Sequence, residues 1–342
     1  MMHAYAALAP AVSDWNRCRF TAGTQAGHYE SYFQRANHPE RPLAFWIRYT
    51  IFSPKGRAQD AVGELWAIFF DGEHDRITAV KEAIPIAQCI IGRSDQPNPD
   101  IQIGSAHLTD TSSKGQALAR GHRVHWNLHF EGNEPALLLL PASLYEGTFP
   151  RAKALVSTPN VRCHGMLEVD GETIAIDGWQ GSLNHNWGSR HTDQYAWGQV
   201  AGFDNAPDAF LECSTARLRI GPFWTPPLSI LTLRIEGKEV QLNSPLQALR
   251  AKGHFEFFDW RMESHTKDVR ITLRMHAPKS AFVGLKYDNP PGGSKTCLNT
   301  KLAACTLTLE QAGQATRTLT TAHRAALEFL TDREDHGVAI VG

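Results

Sequence analysis

Hydrophobic residues in this chain occur in short runs rich in β-branched and aromatic residues, and clusters of turn residues separate these runs. Residues 43–52 (LAFWIRYTIF) form the clearest run, which Pro54 and Gly56 close. Large apolar side chains occupy both faces of this run, and Arg48 is its one charged residue. Such a pattern is typical of a strand buried on both sides, as in the wall of a filled barrel or sandwich.

Similar runs recur to the end of the chain. Residues 120–130 alternate apolar and polar positions with period two, which indicates a strand with one buried face. Turn residues separate the runs at 92–100, 109–116, 131–135 and 169–172. The predicted strands are 43–52, 64–70, 79–91, 101–108, 120–130, 136–140, 162–169, 173–176, 195–203, 209–220, 228–236, 269–275, 281–287, 296–310 and 322–330. The pattern therefore predicts an all-β protein, with the last run as a closing strand despite its helix-like composition.

Aromatic residues and glycines concentrate in the turn-rich segment 178–203, near the middle of the chain. Tryptophan and tyrosine bury large areas and keep a polar tip, so this cluster suits a domain junction or the wall of a pocket. The chain has 342 residues, more than a single core normally holds, and two domains are expected. Two β-domains of this size match closed barrels that each hold one small ligand.

Charge and composition exclude several classes of partner. The formal net charge is -1 and the pI is about 7.0, so no attraction to nucleic acid or to an anionic membrane is expected. The longest apolar runs are too short to cross a bilayer. Residues 1–15 lack the positive start of a secretory signal, which predicts a cytoplasmic location. The oligomeric state stays open.

Three stretches resemble a known family: residues 30–52 (ESYFQRANHPERPLAFWIRYTIF), residues 63–71 (GELWAIFFD) and the motif W-x-G-x-x-NHNWG at 179–188, which is followed by the aromatic segment 195–198. They are similar to the AttH-like and carotenoid 1,2-hydratase group of double-lipocalin proteins. This group is related in fold to tocopherol cyclases and to fungal Diels-Alderases. The resemblance implies two tandem lipocalin-like antiparallel barrels, at 1–188 and 189–342.

The resemblance also implies a hydrophobic substrate, isoprenoid or polyketide-like, held in the first barrel or at the junction. The implied activity is that of a hydratase or cyclase, a lyase or isomerase of secondary metabolism. The family motif usually carries Asp where this chain has Asn184. Because an amide cannot deliver a proton as a carboxylic acid does, the chain either lacks the hydratase activity or uses another acid.

Hydration or cyclisation of an alkene needs a strong acid and a lining that tolerates a carbocation. Apolar burial raises a carboxyl pKa, and aromatic faces stabilise cations by about 1 to 2 kcal/mol each when desolvated. Four carboxyl groups flanked by apolar residues are candidate acids: Glu30, Glu64, Asp193 and Glu212. Six aromatic residues are candidate substrate-binding residues: Trp46, Trp66, Phe69, Trp187, Tyr195 and Trp197.

Two further readings stay open. A pericyclase accelerates its reaction by holding a reactive conformer in a shaped cavity, so it needs no acid and tolerates Asn184. A non-catalytic lipocalin-like carrier would release its ligand chemically unchanged. Each of the six aromatic residues could equally belong to the core of a barrel.

His185 and Arg48 complete the candidate site. His185 could bind a ligand or relay a proton as a catalytic residue, or it could tie the loop between the barrels. Arg48 could pair with a ligand carboxylate, or with Glu30 or Glu64 as an internal ion pair, which is the expected arrangement.

No metal or cofactor is expected. The six cysteines form no CxxC pair and no zinc spacing. His125 and His129 share a strand face, but at about 3.3 Å per residue they lie too far apart for one ion.

Overall fold

The computed structural model describes residues 2–4, 15–92 and 99–341, with the backbone alone at 2–4. Most of the N-terminal stretch considered as a leader, and residues 93–98 of one predicted turn, lie outside this part of the chain. Two sheets of twelve strands each dominate the described residues. No helix in the described ranges combines the length and apolar character needed to cross a membrane.

The first strand of the chain, β1 (Met2–Ala4), belongs to the second sheet, where it pairs with the strand at 238–242. All other strands before residue 189 belong to the first sheet, whose spatial order is β5-β4-β3-β2-β13-β12-β10-β9-β8-β7-β6, with β11 beside β12. Its strands are β2 (His28–Asn37), β3 (Leu43–Ser53), β4 (Val62–Asp71), β5 (Arg76–Pro85), β6 (Cys89–Ile90), β7 (Ile101–Ile103), β8 (Ala106–Leu108), β9 (Ser112–Ala119), β10 (His122–Glu131), β11 (Leu137–Leu138), β12 (Ala152–Val169) and β13 (Glu172–Gly188).

The second sheet repeats this design. Its order is β1-β19-β18-β15-β14-β25-β24-β22-β21-β20, with β23 bridging β24 and β26. Its further strands are β14 (Gln194–Phe203), β15 (Ala206–Arg217), β18 (Leu228–Ile235), β19 (Lys238–Leu242), β20 (Lys252–Glu256), β21 (Asp259–His265), β22 (Val269–His276), β23 (Val283–Asp288), β24 (Ser294–Gln311), β25 (Arg317–Thr331) and β26 (Ile340–Val341). Two short strands, β16 (Arg219–Ile220) and β17 (Phe223–Trp224), pair with each other in a separate two-stranded sheet. All described pairs are antiparallel except β23 with β26.

Each sheet curls around a core of its own. The core of the first sheet collects side chains from β2, β3 and β4 at one end and from β9, β10 and β12 at the other. The core of the second sheet is built likewise from β14, β15, β22, β24 and β25. The expected fold is confirmed: two antiparallel, nearly closed, lipocalin-like barrels. The division of the chain after residue 188 stays a prediction.

A third apolar cluster joins the barrels. On β3, Phe45 and Ile47 point into the first core, while Ala44 and Trp46 point toward the second barrel. They meet Leu285 of β23 there. The strand with two apolar faces is therefore explained, because one face fills a barrel and the other packs at the junction.

Several predicted boundaries are wrong. Residues 112–116 were expected in a turn, yet they are the first five of the eight residues of β9. Residues 178–188 were expected to be turn-rich, yet they complete β13. The predicted strand 79–91 ends at Pro85, where a 3-10 helix follows (Ile86–Gln88), and 101–108 is a hairpin. In β9 and β13 the pairing with neighbouring strands outweighs local composition.

The helix α1 (Pro245–Arg250) was also not predicted. Ser244 caps it by accepting a hydrogen bond from the backbone N–H of Gln247, whose side chain bonds back to the cap. Proline at the first helical position suits this start. The short helix contributes Ala248 and Leu249 to the wall of the cavity described next.

Candidate active site at the barrel junction

A cavity of about 480 Å³ lies at the junction of the two barrels. Its size is in the range of small-molecule sites, about 300 to 1,000 Å³. The wall combines β2 and β3 of the first barrel with β14, β15 and β18 of the second. Phe149 and Leu249 also line it and are 66% and 57% exposed, so they mark its entrance.

Glu212 lies in the cavity wall with 2% of its surface exposed. It is on β15, and its Oε1 accepts a hydrogen bond from Trp197 Nε1 at 3.0 Å. Its Oε2 accepts one from Gln199 Nε2 at 2.7 Å. Burial raises the pKa of Glu212 to about 7, although these two hydrogen bonds act in the opposite direction. Near neutral pH this carboxyl therefore holds a proton much of the time.

Gln199 connects Glu212 to Asn184. The Gln199 amide donates to Asn184 Oδ1 at 2.8 Å as well as to Glu212, and its carbonyl oxygen accepts from Arg35 Nε and Ser182 Oγ, both at 2.7 Å. These acceptor contacts orient the amide, because an Arg guanidinium can only donate hydrogen bonds. The side chain of Gln199 therefore bridges Asn184 on β13 and the Glu212 carboxyl on β15.

Aromatic rings form the wall that leads away from Glu212. Phe33 lies between Trp197 and Trp46, with ring centroids 6.4 and 6.0 Å apart. All three residues and Tyr195 line the cavity. Three of the predicted aromatic residues, Trp46, Tyr195 and Trp197, therefore lie in the cavity wall.

Glu328 is a second carboxyl in the wall, and the sequence did not single it out. It belongs to β25, and its Oε1 accepts hydrogen bonds from Asn299 Nδ2 at 2.9 Å and Lys301 Nζ at 2.8 Å. Lys301 is fully buried, and burial lowers the pKa of its amine. The negative charge of Glu328 acts in the opposite direction and raises this pKa, but by less. A single acid inside the apolar run AHRAALEFL was the signal that could have identified it.

Glu30 lies on β2 between two histidine donors, His28 and His185. Burial alone would raise its pKa, but hydrogen bonds from His185 and His28 outweigh burial and hold the pKa of this carboxyl well below its usual range. It also accepts two hydrogen bonds from the backbone N–H of Arg19, at 2.8 and 3.0 Å. The carboxylate therefore fastens the N-terminal segment to β2, and its donors favour the ionised form, which is the opposite of what an acid needs.

His185 lies within β13, not in a loop between the barrels. Its Nε2 is 2.9 Å from Glu30 Oε1, and its ring stacks on Tyr32 at 3.9 Å. Burial lowers the pKa of His185 to about 4, so the ring is neutral and Nε2 donates to the carboxylate. Its Nδ1 has no hydrogen-bond partner among the described residues. The residue lies along the cavity wall, and whether it touches a substrate stays a prediction.

The remaining two candidate acids lie outside the cavity. Glu64 pairs with Lys81 at 3.0 Å and accepts a hydrogen bond from Trp66 at 3.1 Å. Asp193 pairs with Arg190 at 2.7 Å, in the connection between β13 and β14. The structure therefore does not bring these two carboxyl groups to the junction cavity, and each contacts a cation elsewhere.

Three predicted aromatic residues are likewise placed elsewhere. Phe69 points into the core of the first barrel. Trp66 packs in the apolar cluster at the junction, next to a void of only about 10 Å³. Trp187 faces the N-terminal segment, where the Arg19 guanidinium lies 3.7 Å from its ring. Alternation along each strand directs these side chains away from the junction cavity.

Other cavity residues were missed because each is unremarkable in its own strand. Tyr29, Phe33, His191 and Tyr287 line the wall together with Arg48. Phe33 and Tyr29 lie in β2, for which no strand was predicted. Their alternation with Tyr32 was the signal that could have indicated a face turned to the junction.

A smaller cavity of about 340 Å³ lies among core residues of the first barrel, between Tyr32, Phe130 and Leu183. The carboxyl groups in its lining are those of Asp110 and Glu134. One group of residues with metal-ligating atoms close together, Asp71, Glu73 and His74, is also found in the described ranges. Arginines already pair with both carboxylates of this group.

Comparisons with known proteins agree with this architecture. Two curated relatives from Mycobacterium tuberculosis, the uncharacterized proteins Rv0493c (strain H37Rv) and MT0513 (strain CDC 1551), are each 24% identical over 278 residues, which is 81% of this chain and 80% of theirs. The structure is also similar to that of a putative AttH from Nitrosomonas europaea, with a TM-score of 0.55, 13% identity, and coverage of 91% of this chain and 96% of that chain.

Two further solved structures share the fold. Kievitone hydratase from Nectria haematococca matches with a TM-score of 0.58 and 10% identity, over 96% of this chain and 95% of that chain. CghA matches with a TM-score of 0.56 and 8% identity, over 94% and 95%. The predicted relationship to the AttH-like double-lipocalin group is confirmed. The sequence profile of the tocopherol cyclase-like family matches residues 150–329, more than half of the sequence, so the chain belongs to this family.

Proposed function

We propose that this protein is a hydratase or cyclase that protonates an alkene of a hydrophobic isoprenoid or polyketide-like substrate in the junction cavity. Glu212 is the acid. The observation that carries the proposal is a buried carboxyl with a pKa of about 7 in the wall of an aromatic cavity. A general acid works best when its pKa lies near the operating pH.

The proposed reaction begins when the Glu212 O–H bond breaks and the proton adds to one alkene carbon. Positive charge then develops on the other carbon, beside the rings of Trp197, Phe33 and Trp46. Water, or a nucleophile within the substrate, forms the new bond at that carbon. The O–H bond of the attacking water or substrate hydroxyl then breaks, and its proton returns to the Glu212 carboxylate, so no cofactor is consumed.

Asn184 supports this assignment. It stands where the family motif usually carries Asp, yet its amide shares Gln199 with Glu212. A carboxyl on β15 therefore supplies a proton to the region that the motif residue borders. The two alternatives, a pericyclase and a carrier, leave the protonated carboxyl without a role.

An isotope experiment separates the three functions. The protein is incubated in D₂O with a panel of prenylated phenols and polyunsaturated isoprenoid acids, and products are analysed by mass spectrometry. A hydratase or cyclase places one deuterium on carbon, whereas a pericyclase gives an isomer without deuterium and a carrier gives no product. We expect one carbon-bound deuterium.

The Glu212→Gln variant keeps the shape of the side chain but removes the acid. We expect its rate to fall by about 10²- to 10⁴-fold, the usual contribution of a general acid. Glu64→Gln is the matched control, because Glu64 pairs with Lys81 outside the cavity. Deuterium incorporation that survives in Glu212→Gln would contradict the assignment.

A further inference from the structure

Arg48 is a buried cation that no carboxylate neutralises by direct contact. It lies on β3 and lines the junction cavity, with 4% of its surface exposed. Its Nη2 donates a hydrogen bond to Ser31 Oγ at 2.7 Å. Its Nε is buried without a hydrogen-bond partner, and no described carboxylate forms an ion pair with it. The expected internal ion pair with Glu30 or Glu64 is therefore wrong.

The neighbouring carboxylates are already paired with other cations. Glu64 and Glu328 act on Arg48 through space. Glu64 contacts Lys81 at 3.0 Å, and Glu328 contacts Lys301 at 2.8 Å. Each of these two carboxylates therefore contacts another cation, and neither contacts Arg48. A buried charge without a partner is costly, so such a group usually serves a ligand.

The surroundings of Arg48 are shaped for the head of a ligand. The guanidinium lies 4.6 Å from the ring centroid of Tyr287. Burial and the charge of Arg48 lower the pKa of His191 to about 3, so its ring is neutral. This ring stacks on Tyr29, with 4.0 Å between the ring centroids. No second cation among the described cavity residues competes for an anion at this end, since the Lys153 amine is held by two backbone carbonyl groups.

An aromatic wall connects Arg48 with Glu212. Trp46 lies 5.8 Å from the Arg48 guanidinium, and the rings of Phe33 and Trp197 continue from it to the carboxyl. The cavity therefore has an anion-binding group and a proton donor separated by an apolar wall. This arrangement matches a molecule with an acidic head and an unsaturated apolar chain.

We propose that Arg48 binds the carboxylate of an amphipathic acid and thereby places its unsaturated chain along Phe33, Trp46 and Trp197. The proposal rests on the proposed function for its second half, because Glu212 acts on the chain. The first half, recognition of a carboxylate, is a binding property and is tested without turnover. A guanidinium suits this task because its planar donors match the two carboxylate oxygens.

The probe is cis-parinaric acid, a fluorescent polyunsaturated fatty acid, together with its uncharged methyl ester. Both are titrated into the full-length protein at pH 8, and dissociation constants are taken from the fluorescence. We expect the unchanged protein to bind the acid about 30-fold more tightly than the ester or better, as for a buried charge pair. Equal affinity for acid and ester, or no binding of either, overturns the proposal without any variant.

Variants then assign the preference to Arg48. Arg48→Met should lower affinity for the acid by about 30-fold or more while affinity for the ester stays the same. Arg190→Met is the matched control, because Arg190 is a partly exposed cation outside the cavity wall. If Arg48→Met does not fold, Arg48→Gln gives the same test. A preference for the acid that survives both substitutions contradicts the proposal.

The outcome separates this proposal from the proposed function. Glu212→Gln should still bind the acid more tightly than the ester, because it leaves Arg48 in place and removes a negative charge from the cavity. Deuterium incorporation without a preference for acids would remove only the anion site. A preference for acids without any deuterium incorporation would remove only the role of Glu212.

Discussion

Asn184 and Glu212 accept hydrogen bonds from the same amide group, Gln199 Nε2, at 2.8 and 2.7 Å. The motif asparagine and the cavity carboxyl come from different barrels, on β13 and β15. Because Gln199 can donate to both at once, the protonation of Glu212 depends on residues of both sheets. The predictions below test that coupling and the structural carboxylate Glu30.

Glu212 should make the stability of the protein depend on pH. Its folded pKa is raised from the ordinary 4.5 to about 7, so the folded state binds an extra proton between these values. Stability therefore falls as pH rises through this window, by roughly 3 kcal/mol at most. Glu212→Gln removes this penalty and should unfold at a higher temperature than the wild type at pH 8 but not at pH 4.5.

Thermal unfolding followed by circular dichroism at both pH values checks this prediction. Glu64→Gln serves as control, because its carboxylate is paired with Lys81 and should show no gain at pH 8. A loss of stability in Glu212→Gln that is equal at both pH values would show that the pKa of Glu212 does not differ between the folded and unfolded states.

Asn184→Asp should add a second carboxyl that holds its proton near neutral pH. The Asn184 amide donates to the backbone carbonyls of Ser182 and Phe33, at 3.2 and 3.4 Å, and an ionised carboxylate would face these oxygens. Both carboxyls would then contact Gln199 and titrate as a coupled pair. We expect the fall in stability to extend to higher pH than in the wild type.

Unfolding temperatures are measured by circular dichroism for the wild type and the variant at several pH values from 4.5 to 9. Asn186→Asp is the control, because Asn186 also lines the cavity but makes no described contact with Gln199. If both variants shift the titration equally, Gln199 does not couple the two positions.

Arg35→Met should raise the pKa of Glu212 further. The buried guanidinium of Arg35 favours the ionised form of Glu212 through its charge, and it reaches the network through Gln199 Oε1. In Arg35→Met, the pH range over which the stability of the protein falls should therefore extend above pH 7. Arg76→Met, a substitution in an exposed ion pair at the start of β5, should leave the midpoint unchanged. A midpoint that moves to lower pH would contradict this role.

Glu30→Gln should destabilise the fold by about 3 kcal/mol at pH 7, because it removes a buried charged acceptor from its donors. The sign of its pH dependence is opposite to that of Glu212. Since the folded pKa of Glu30 is depressed, its stabilisation is present above the ordinary value of 4.5 and is lost as pH falls below it.

Urea unfolding of the wild type and Glu30→Gln at pH 7 and pH 3.5 measures this difference. We expect the gap between the two proteins to be larger at pH 7. A constant gap would mean that Glu30 contributes through its shape and not through its charge.

Local pattern was sufficient for the fold class. Period-two alternation in β10 and the two apolar faces of β3 follow from the positions of side chains along one strand, so they are visible in the sequence. Boundaries were less accurate in β9 and β13, where polar or glycine-rich stretches are held in strands by their neighbours.

The sequence by itself determined the two-barrel architecture, the family and a short set of candidate carboxyl groups. Only the tertiary structure separated Glu212 from Glu30, because both are buried and flanked by apolar residues. Glu30 receives hydrogen bonds from His185, which is 155 positions away, from His28 and from the backbone N–H of Arg19. Among the described residues, Glu212 receives two, both from side chains of β14. A carboxyl pKa depends on burial and on the donors around it, and those donors are brought together by the fold.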